Sequence, residues 1–168
     1  MGWPGVQRAA GRPARTHRPG RSRWPRNEAL PSAMRLTVFA DGASRGNPGP
    51  SAIGASIRDG DGLELATVSQ RTGIGTNNQA EYRAALEGVR KARQLGATAI
   101  DLRLDSELVV RQLSGLYRVR NAALKALFTA LLQELEATGP YTVGHVPRAR
   151  NARADALANA ALDAKVLD

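Results

Sequence analysis

Cysteine is missing from all 168 residues. That excludes a disulfide framework and any zinc cluster built on thiolates, and it makes a reducing, cytoplasmic compartment the expected one. Long hydrophobic runs are missing as well. None approaches the roughly 20 residues that cross a bilayer, so a soluble protein with no membrane partner is expected. No apolar segment near the start has the form of a secretory signal, which argues against export. Aromatic residues make up only 4% of the chain, and both tryptophans, Trp3 and Trp24, fall within its first 33 residues.

What is present divides unevenly. Residues 1–33 hold five of the nine prolines and seven arginines against the single acid Glu28, so they carry +6 of the +9 net charge. They show no apolar periodicity and read as a disordered basic tail. The prolines argue against the amphipathic helix of a transit peptide. Two readings of this tail stay open: a basic arm, and an over-extended start ahead of the true first residue. The position of Met34, directly before the first strand signal, favours the second.

Residues 34–168 read as one domain. Strand signals at about 35–41, 52–58 and 63–71 are joined by glycine-rich turns and form an antiparallel meander. A helix at about 79–95 ends at Gly96, and a strand follows at 99–105. Helices at 107–113 and 122–137, a strand at 141–146 and a closing helix near 153–162 complete the order βββαβααβα. This is an α/β fold with a five-stranded mixed sheet, its fourth strand parallel to its first. In such sheets ligands bind beyond the carboxyl ends of the parallel strands.

Four carboxylates stand at or near such positions. Asp41 closes the first strand signal, Asp105 closes the fourth, Glu81 lies at the start of the first long helix, and Asp155 follows Asn151 into the last. Each has a structural reading taken alone. Asp41 suits an Asp-Gly turn, Asp105 and Asn78 suit helix caps, Glu81 has capping-box spacing from Asn78, and Asp155 complements a helix N-terminus. Together they form an oxygen-rich set suited to Mg²⁺ or Mn²⁺. Two such ions about 4 Å apart serve both oxygens of an in-line phosphodiester displacement. Gly42, Gly46 and Gly49 allow close backbone approach, and Asn47, Asn77 and Asn78 offer donors and acceptors for sugar hydroxyls and base edges. The turn at 41–50 is not a Walker loop, because the Lys-Ser/Thr ending is absent.

The segment Phe39-Ala40-Asp41-Gly42-Ala43-Ser44-Arg45-Gly46-Asn47-Pro48-Gly49-Pro50 resembles the opening motif of type 1 ribonuclease H. Thr76-Asn77-Asn78-Gln79-Ala80-Glu81 resembles the second motif of that family, and Leu104-Asp105-Ser106 the third. Gly144-His145-Val146-Pro147, with Asn151 and Asp155, resembles the last. The resemblance runs from Leu36 to about Ala161 in the family's order. It implies the ribonuclease H-like fold and a two-metal endoribonuclease that cuts the RNA strand of RNA–DNA hybrids, leaving 5′-phosphate and 3′-hydroxyl ends. It also implies that Asp41, Glu81, Asp105 and Asp155 are catalytic metal ligands, with His145 as a mobile catalytic histidine. Thr76 and Asn121 match positions that hold a phosphate of the DNA strand, although both also suit helix caps.

The chain also departs from longer relatives. Only 40 positions separate Asp105 from His145, too few for the extra helix and basic protrusion those relatives carry, so this is a short form. The aromatic element that lines the DNA channel in some relatives has no counterpart in the sequence. Arg111, Arg118, Arg120 and Lys125 offer electrostatic compensation, and Glu107 stands where a neutral polar residue is common. The expected partner is a hybrid duplex, with double-stranded RNA as a further candidate, bound by a monomer. The competing expectations are a non-catalytic hybrid- or double-stranded-RNA-binding module on the same fold and a related nuclease acting on DNA.

Overall fold

A computed structural model describes residues 34–164. The element order is β1 (Arg35–Ser44), β2 (Gly49–Arg58), β3 (Glu64–Gly75), α1 (Asn77–Gln94), β4 (Ala99–Leu104), α2 (Glu107–Leu113), α3 (Ala122–Thr138), β5 (Tyr141–His145), a 3-10 turn (Arg148–Asn151) and α4 (Ala152–Asp163). The strands form one sheet in the order β3-β2-β1-β4-β5. β1, β2 and β3 pair antiparallel, whereas β1 with β4 and β4 with β5 pair parallel. The expected βββαβααβα order and mixed sheet are therefore observed.

Alternation along β1 explains how the layers form. Leu36, Val38 and Ala40 are fully buried in the main core, together with Ile53, Ala55 and Ile57 of β2 and Ile100, Leu102 and Leu104 of β4. α1 reaches that face with small residues, Ala84, Ala85, Gly88 and Ala92, which let it lie close to the sheet. A Cβ on Gly88 would stand 2.7 Å from Val38 Cγ1. Tyr82 is completely buried there, donating its hydroxyl to Gln112 Oε1 at 2.6 Å and so tying α1 to α2. α4 packs on the opposite face, chiefly over β2 and also against β1 and β3, with Ala154, Leu157 and Ala158 buried. Arg71 of β3 fixes the far end of α4 by donating to the carbonyls of Ala161, Leu162 and Ala164 at 2.6–2.8 Å.

Several local expectations need correction. β1 does not end at Asp41 but continues to Ser44, because residues 41–44 stay paired with β2. What ends at Asp41 is the parallel ladder, whose last pair is Ala40 with Leu104. α1 is capped by Thr76, not Asn78, and Gln79 rather than Glu81 completes the capping box. Ser106, not Asp105, caps α2. Both expected acid caps are thus filled by neighbours, which leaves the two carboxylates free of that work. α2 and α3 are joined by residues 114–121 alone, consistent with the short form. The tail expected to be disordered lies outside the described residues.

Candidate active site

The parallel β1/β4 ladder stops at one level, so Asp41 and Asp105 emerge side by side from adjacent strands. Gly42 then brings in the third acid. A Cβ at that position would stand 2.2 Å from the Ala80 carbonyl carbon and 2.4 Å from the Glu81 nitrogen. Only glycine lets the first turn of α1 lie this close to β1. The result is that ligand atoms of Asp41, Glu81 and Asp105 lie within 4.8 Å of one another. Gly54 does the same for α4, since a Cβ there would meet the Ala154 carbonyl oxygen at 2.1 Å. That contact seats Asp155, in the first turn of α4, against Asp41.

In this partly buried spot burial and neighbouring carboxylate charge oppose the ionisation of Asp41 and Glu81. Burial is the largest cause raising Asp41 to about 7, with the charge of Asp105 and contact with Asp155 adding to it and a hydrogen bond with Glu81 opposing. Glu81 is pushed up to about 10, first by burial and then by the charge of Asp41 and its hydrogen bond. The Gly42 backbone N–H, donated to Glu81, pulls the other way. Glu81 Oε2 is buried with no hydrogen-bond partner. Among the described residues, no arginine, lysine or histidine forms an ion pair with any of the three. An all-oxygen donor set with an orphaned carboxylate oxygen and no internal cation is what a bound divalent cation would complete.

Asn151 is the residue whose role the sequence did not reveal. It is almost completely buried, and its Nδ2 donates both to the Ala40 carbonyl at 2.9 Å and to Asp105 Oδ2 at 3.2 Å. It therefore ties the carboxylate of one strand to the backbone of the other at the point where they diverge. Its spacing of four from Asp155 was visible, but a buried amide bridging two strands carries no local sequence signal.

The remaining candidates are spread around this centre. His145 ends β5, pairs in register with Leu104, the residue before Asp105, and is exposed. Asp155 stands outside the closest group of three, with Oδ1 accepting from Asn159 Nδ2 at 3.2 Å. Asn47 reaches from the β1–β2 turn to the start of α1, where its Oδ1 accepts from the Asn77 N–H at 3.1 Å. Asn78 lies in the first turn of α1. Thr76 and Asn121 are both N-caps, accepting from Gln79 and Leu124. Capping uses only an acceptor, so the Thr76 hydroxyl hydrogen and the Asn121 NH₂ are left for a ligand. Gly42 and Gly49 do not serve substrate approach as expected, since α1 and the Arg45 carbonyl occupy the space beside them. On the loop after α2, Tyr117 is an exposed aromatic held by Arg111, which donates to its hydroxyl at 2.7 Å.

The comparisons with known proteins agree with this architecture. A family model described as reverse transcriptase-like matches residues 39–161. Ribonuclease HI of Halobacterium salinarum is 43% identical over 129 residues, and its crystal structure superimposes with a TM-score of 0.75, covering 77% of this chain and 98% of that one. The chain belongs to the type 1 ribonuclease H family. The N-terminal ribonuclease H domain of a bifunctional Mycobacterium tuberculosis protein is 43% identical with a TM-score of 0.73, covering 77% of this chain and 99% of that domain. LC11-RNase H1, solved in complex with an RNA/DNA hybrid, is 38% identical with a TM-score of 0.73, covering 76% and 96%. Measured against whole proteins, the chain spans 65% of the Halobacterium relative and 36% of the mycobacterial one. Ribonucleases H of this family depend on divalent metal, in keeping with the acidic cluster found here.

Proposed function

We propose that this chain is a metal-dependent endoribonuclease that cuts the RNA strand of RNA–DNA hybrids, leaving 5′-phosphate and 3′-hydroxyl ends. The observation that carries the proposal is the close group of Asp41, Glu81 and Asp105 at the end of the parallel ladder, with no cationic side chain paired to it among the described residues. Family membership and the hybrid-bound relative support the substrate class. Asp41, Glu81 and Asp105, joined by Asp155, would hold two Mg²⁺ or Mn²⁺ ions, which supply Lewis-acid stabilisation of charge developing on the phosphate oxygens.

The chain's own groups do the positioning. Asn151 holds Asp105 in place, and the space beside Gly42 lets α1 bring Glu81 against β1. His145, exposed at the end of β5, is free to exchange a proton with the departing oxygen or the solvent. Asn47, Asn77 and Asn78 gather where the β1–β2 turn meets α1 and read sugar hydroxyls. Thr76 and Asn121 use their spare donors on a DNA-strand phosphate. One chain supplies every carboxylate, so a monomer acting in a reducing cytoplasm suffices.

The test is a gel assay with Mg²⁺ or Mn²⁺ on a hybrid, a double-stranded RNA and a DNA duplex of one sequence. The hybrid is expected to be cut within its ribonucleotide run and the DNA to stay intact, because recognition needs 2′-hydroxyls. Cleavage of the DNA at a similar rate would assign a DNA nuclease instead. Hybrid binding without cleavage under either metal would assign a binding module. The same gel decides whether double-stranded RNA is a second substrate.

A further inference from the structure

A basic groove of about 500 Å³ lies on the face of β1 that also carries Asp41. Thr37, Phe39, Arg58, Arg103, Val146 and Arg150 line it, together with Asp59, Gly60 and Gly62 of the β2–β3 turn. The side-chain alternation that buries Val38 and Ala40 on the α1 side puts Thr37, Phe39 and Asp41 together on the other side of β1. Phe39 is two residues before Asp41, about 7 Å along an extended strand. Arg103 is its register partner on β4 and lies across Gly144, where a Cβ would stand 3.5 Å from Arg103 Nη1. Arg150 immediately precedes Asn151, the residue that holds Asp105, so groove and cluster share one segment of chain.

The arginines of the groove are not held in close ion pairs with the described residues. Arg58 stacks over the Phe39 ring at 4.9 Å, and among the described residues its guanidinium donates to Ser56 Oγ alone, at 3.2 Å. Nearby Glu64 is engaged by Arg153 through two hydrogen bonds of 3.1 Å. Asp59, the one acid in the lining, accepts through Oδ1 from the backbone N–H groups of Asp61 and Leu63 and serves its own turn. Among the described residues none of Arg58, Arg103 and Arg150 forms an ion pair. Three free guanidinium groups beside an aromatic platform, in a groove with room for a nucleotide unit rather than a duplex, match how proteins hold single strands.

We propose that this groove binds a single-stranded extension of the nucleic acid whose duplex part lies over the acidic cluster. The phosphates would lie among Arg103, Arg150 and Arg58, and a base would stack on the Arg58–Phe39 pair. This rests on the proposed hybrid reading, and the groove then gives preference to hybrids with unpaired flanks over blunt ones.

The experiment measures binding of the full chain in EDTA, by fluorescence anisotropy, to a blunt hybrid and to the same hybrid with a six-nucleotide overhang on either strand and either end. Cleavage of the blunt hybrid with metal is measured in parallel. At low salt at least one overhang is expected to tighten binding about five-fold or more and to steepen the salt dependence by roughly 0.7 per phosphate held. The Arg103→Gln/Arg150→Gln double variant is expected to lose that gain, with unchanged affinity for the blunt hybrid. Arg93→Gln, on the opposite face and paired with Glu134, is expected to keep the gain. Should the double variant misfold, Arg150→Gln alone, at an exposed position, is expected to lose part of it. No gain from any overhang, or an equal gain in the Arg103→Gln/Arg150→Gln variant, overturns the proposal. Displaceable binding of a free mononucleotide without any overhang effect overturns it too and assigns the groove to small nucleotides. Failure to cut the blunt hybrid at all would instead count against the nuclease reading.

Discussion

Glu64 and Glu81 are both glutamates at the margin of the sheet, yet they sit in opposite electrostatic settings. Glu64 accepts from Nε and Nη2 of Arg153 and from Ser56, and those partners hold its carboxyl below the usual carboxylate range. Glu81 faces Asp41 and Asp105 without a cation, and burial pushes it up to about 10. The same contrast separates Glu134, paired with Arg90 and Arg93, from Asp41. Where acids hold the scaffold together, the chain supplies the counter-charge. In the cluster at the end of β1 and β4 none of the described residues supplies one, at a cost in stability that their packing alone does not return. A divalent cation from solution is the partner proposed for it.

Removing acids from the two settings should separate them sharply. Asp41→Asn, Glu81→Gln and Asp105→Asn are each expected to lower hybrid cleavage by roughly 10³-fold or more without loss of fold, because each removes charge rather than core volume. Asp155→Asn is expected to lose only part of the rate, since its amide keeps an oxygen and it stands outside the closest three. His145→Ala is expected to slow turnover by roughly 10–100-fold. Glu64→Gln should leave the rate near that of the unaltered chain. Steady-state cleavage assays read the whole series, and a Glu64→Gln loss matching that of Glu81→Gln would erase the distinction.

A smaller effect should appear in stability. Asp41 and Glu81 have folded-state values near 7 and 10, above the usual carboxylate values of 3.8 and 4.5. Between those limits the folded chain binds more protons than the unfolded one, so stability present below about pH 4 is lost as pH rises through the folded values. Glu64, with its lowered value, works in the opposite sense and loses its contribution as pH falls through the acidic range. In EDTA the melting temperature is therefore expected to fall between pH 5.5 and 8.5, by on the order of 3–6 °C. Asp41→Asn should flatten that fall, and Mg²⁺ should raise the melting temperature more at pH 8.5 than at 5.5. A pH-independent melting temperature in EDTA would mean that the cluster ionises without strain.

Much of this arrangement was legible in the chain because it rests on local signals. The alternation of Leu36, Val38 and Ala40, the glycine turns and the helical spacing of Leu124, Leu131 and Leu135 gave the elements and their order. The positions of Asp41 and Asp105 at the ends of strand signals pointed to one crevice. The illegible part lay in contacts between segments far apart in sequence. Thr76 outcompeted Asn78 as the cap because Gln79 completes its box. The closeness of α1 to β1 depends on the space beside Gly42, and the sequence presents that glycine as a turn residue open to a ligand rather than as the seat of a helix. Asn151 looks like a helix cap by type, but its side chain makes no cap and instead bridges β1 to Asp105.

Titration of Mn²⁺, followed by the loss of its free-ion paramagnetic resonance signal at pH 8, asks most directly whether the cluster awaits a cation. The unaltered chain is expected to take up Mn²⁺, Glu64→Gln to take it up equally, and Glu81→Gln to bind it at least ten-fold more weakly. Uptake by Glu81→Gln as tight as that of the unaltered chain would show that the unpaired acids are not where the metal is held.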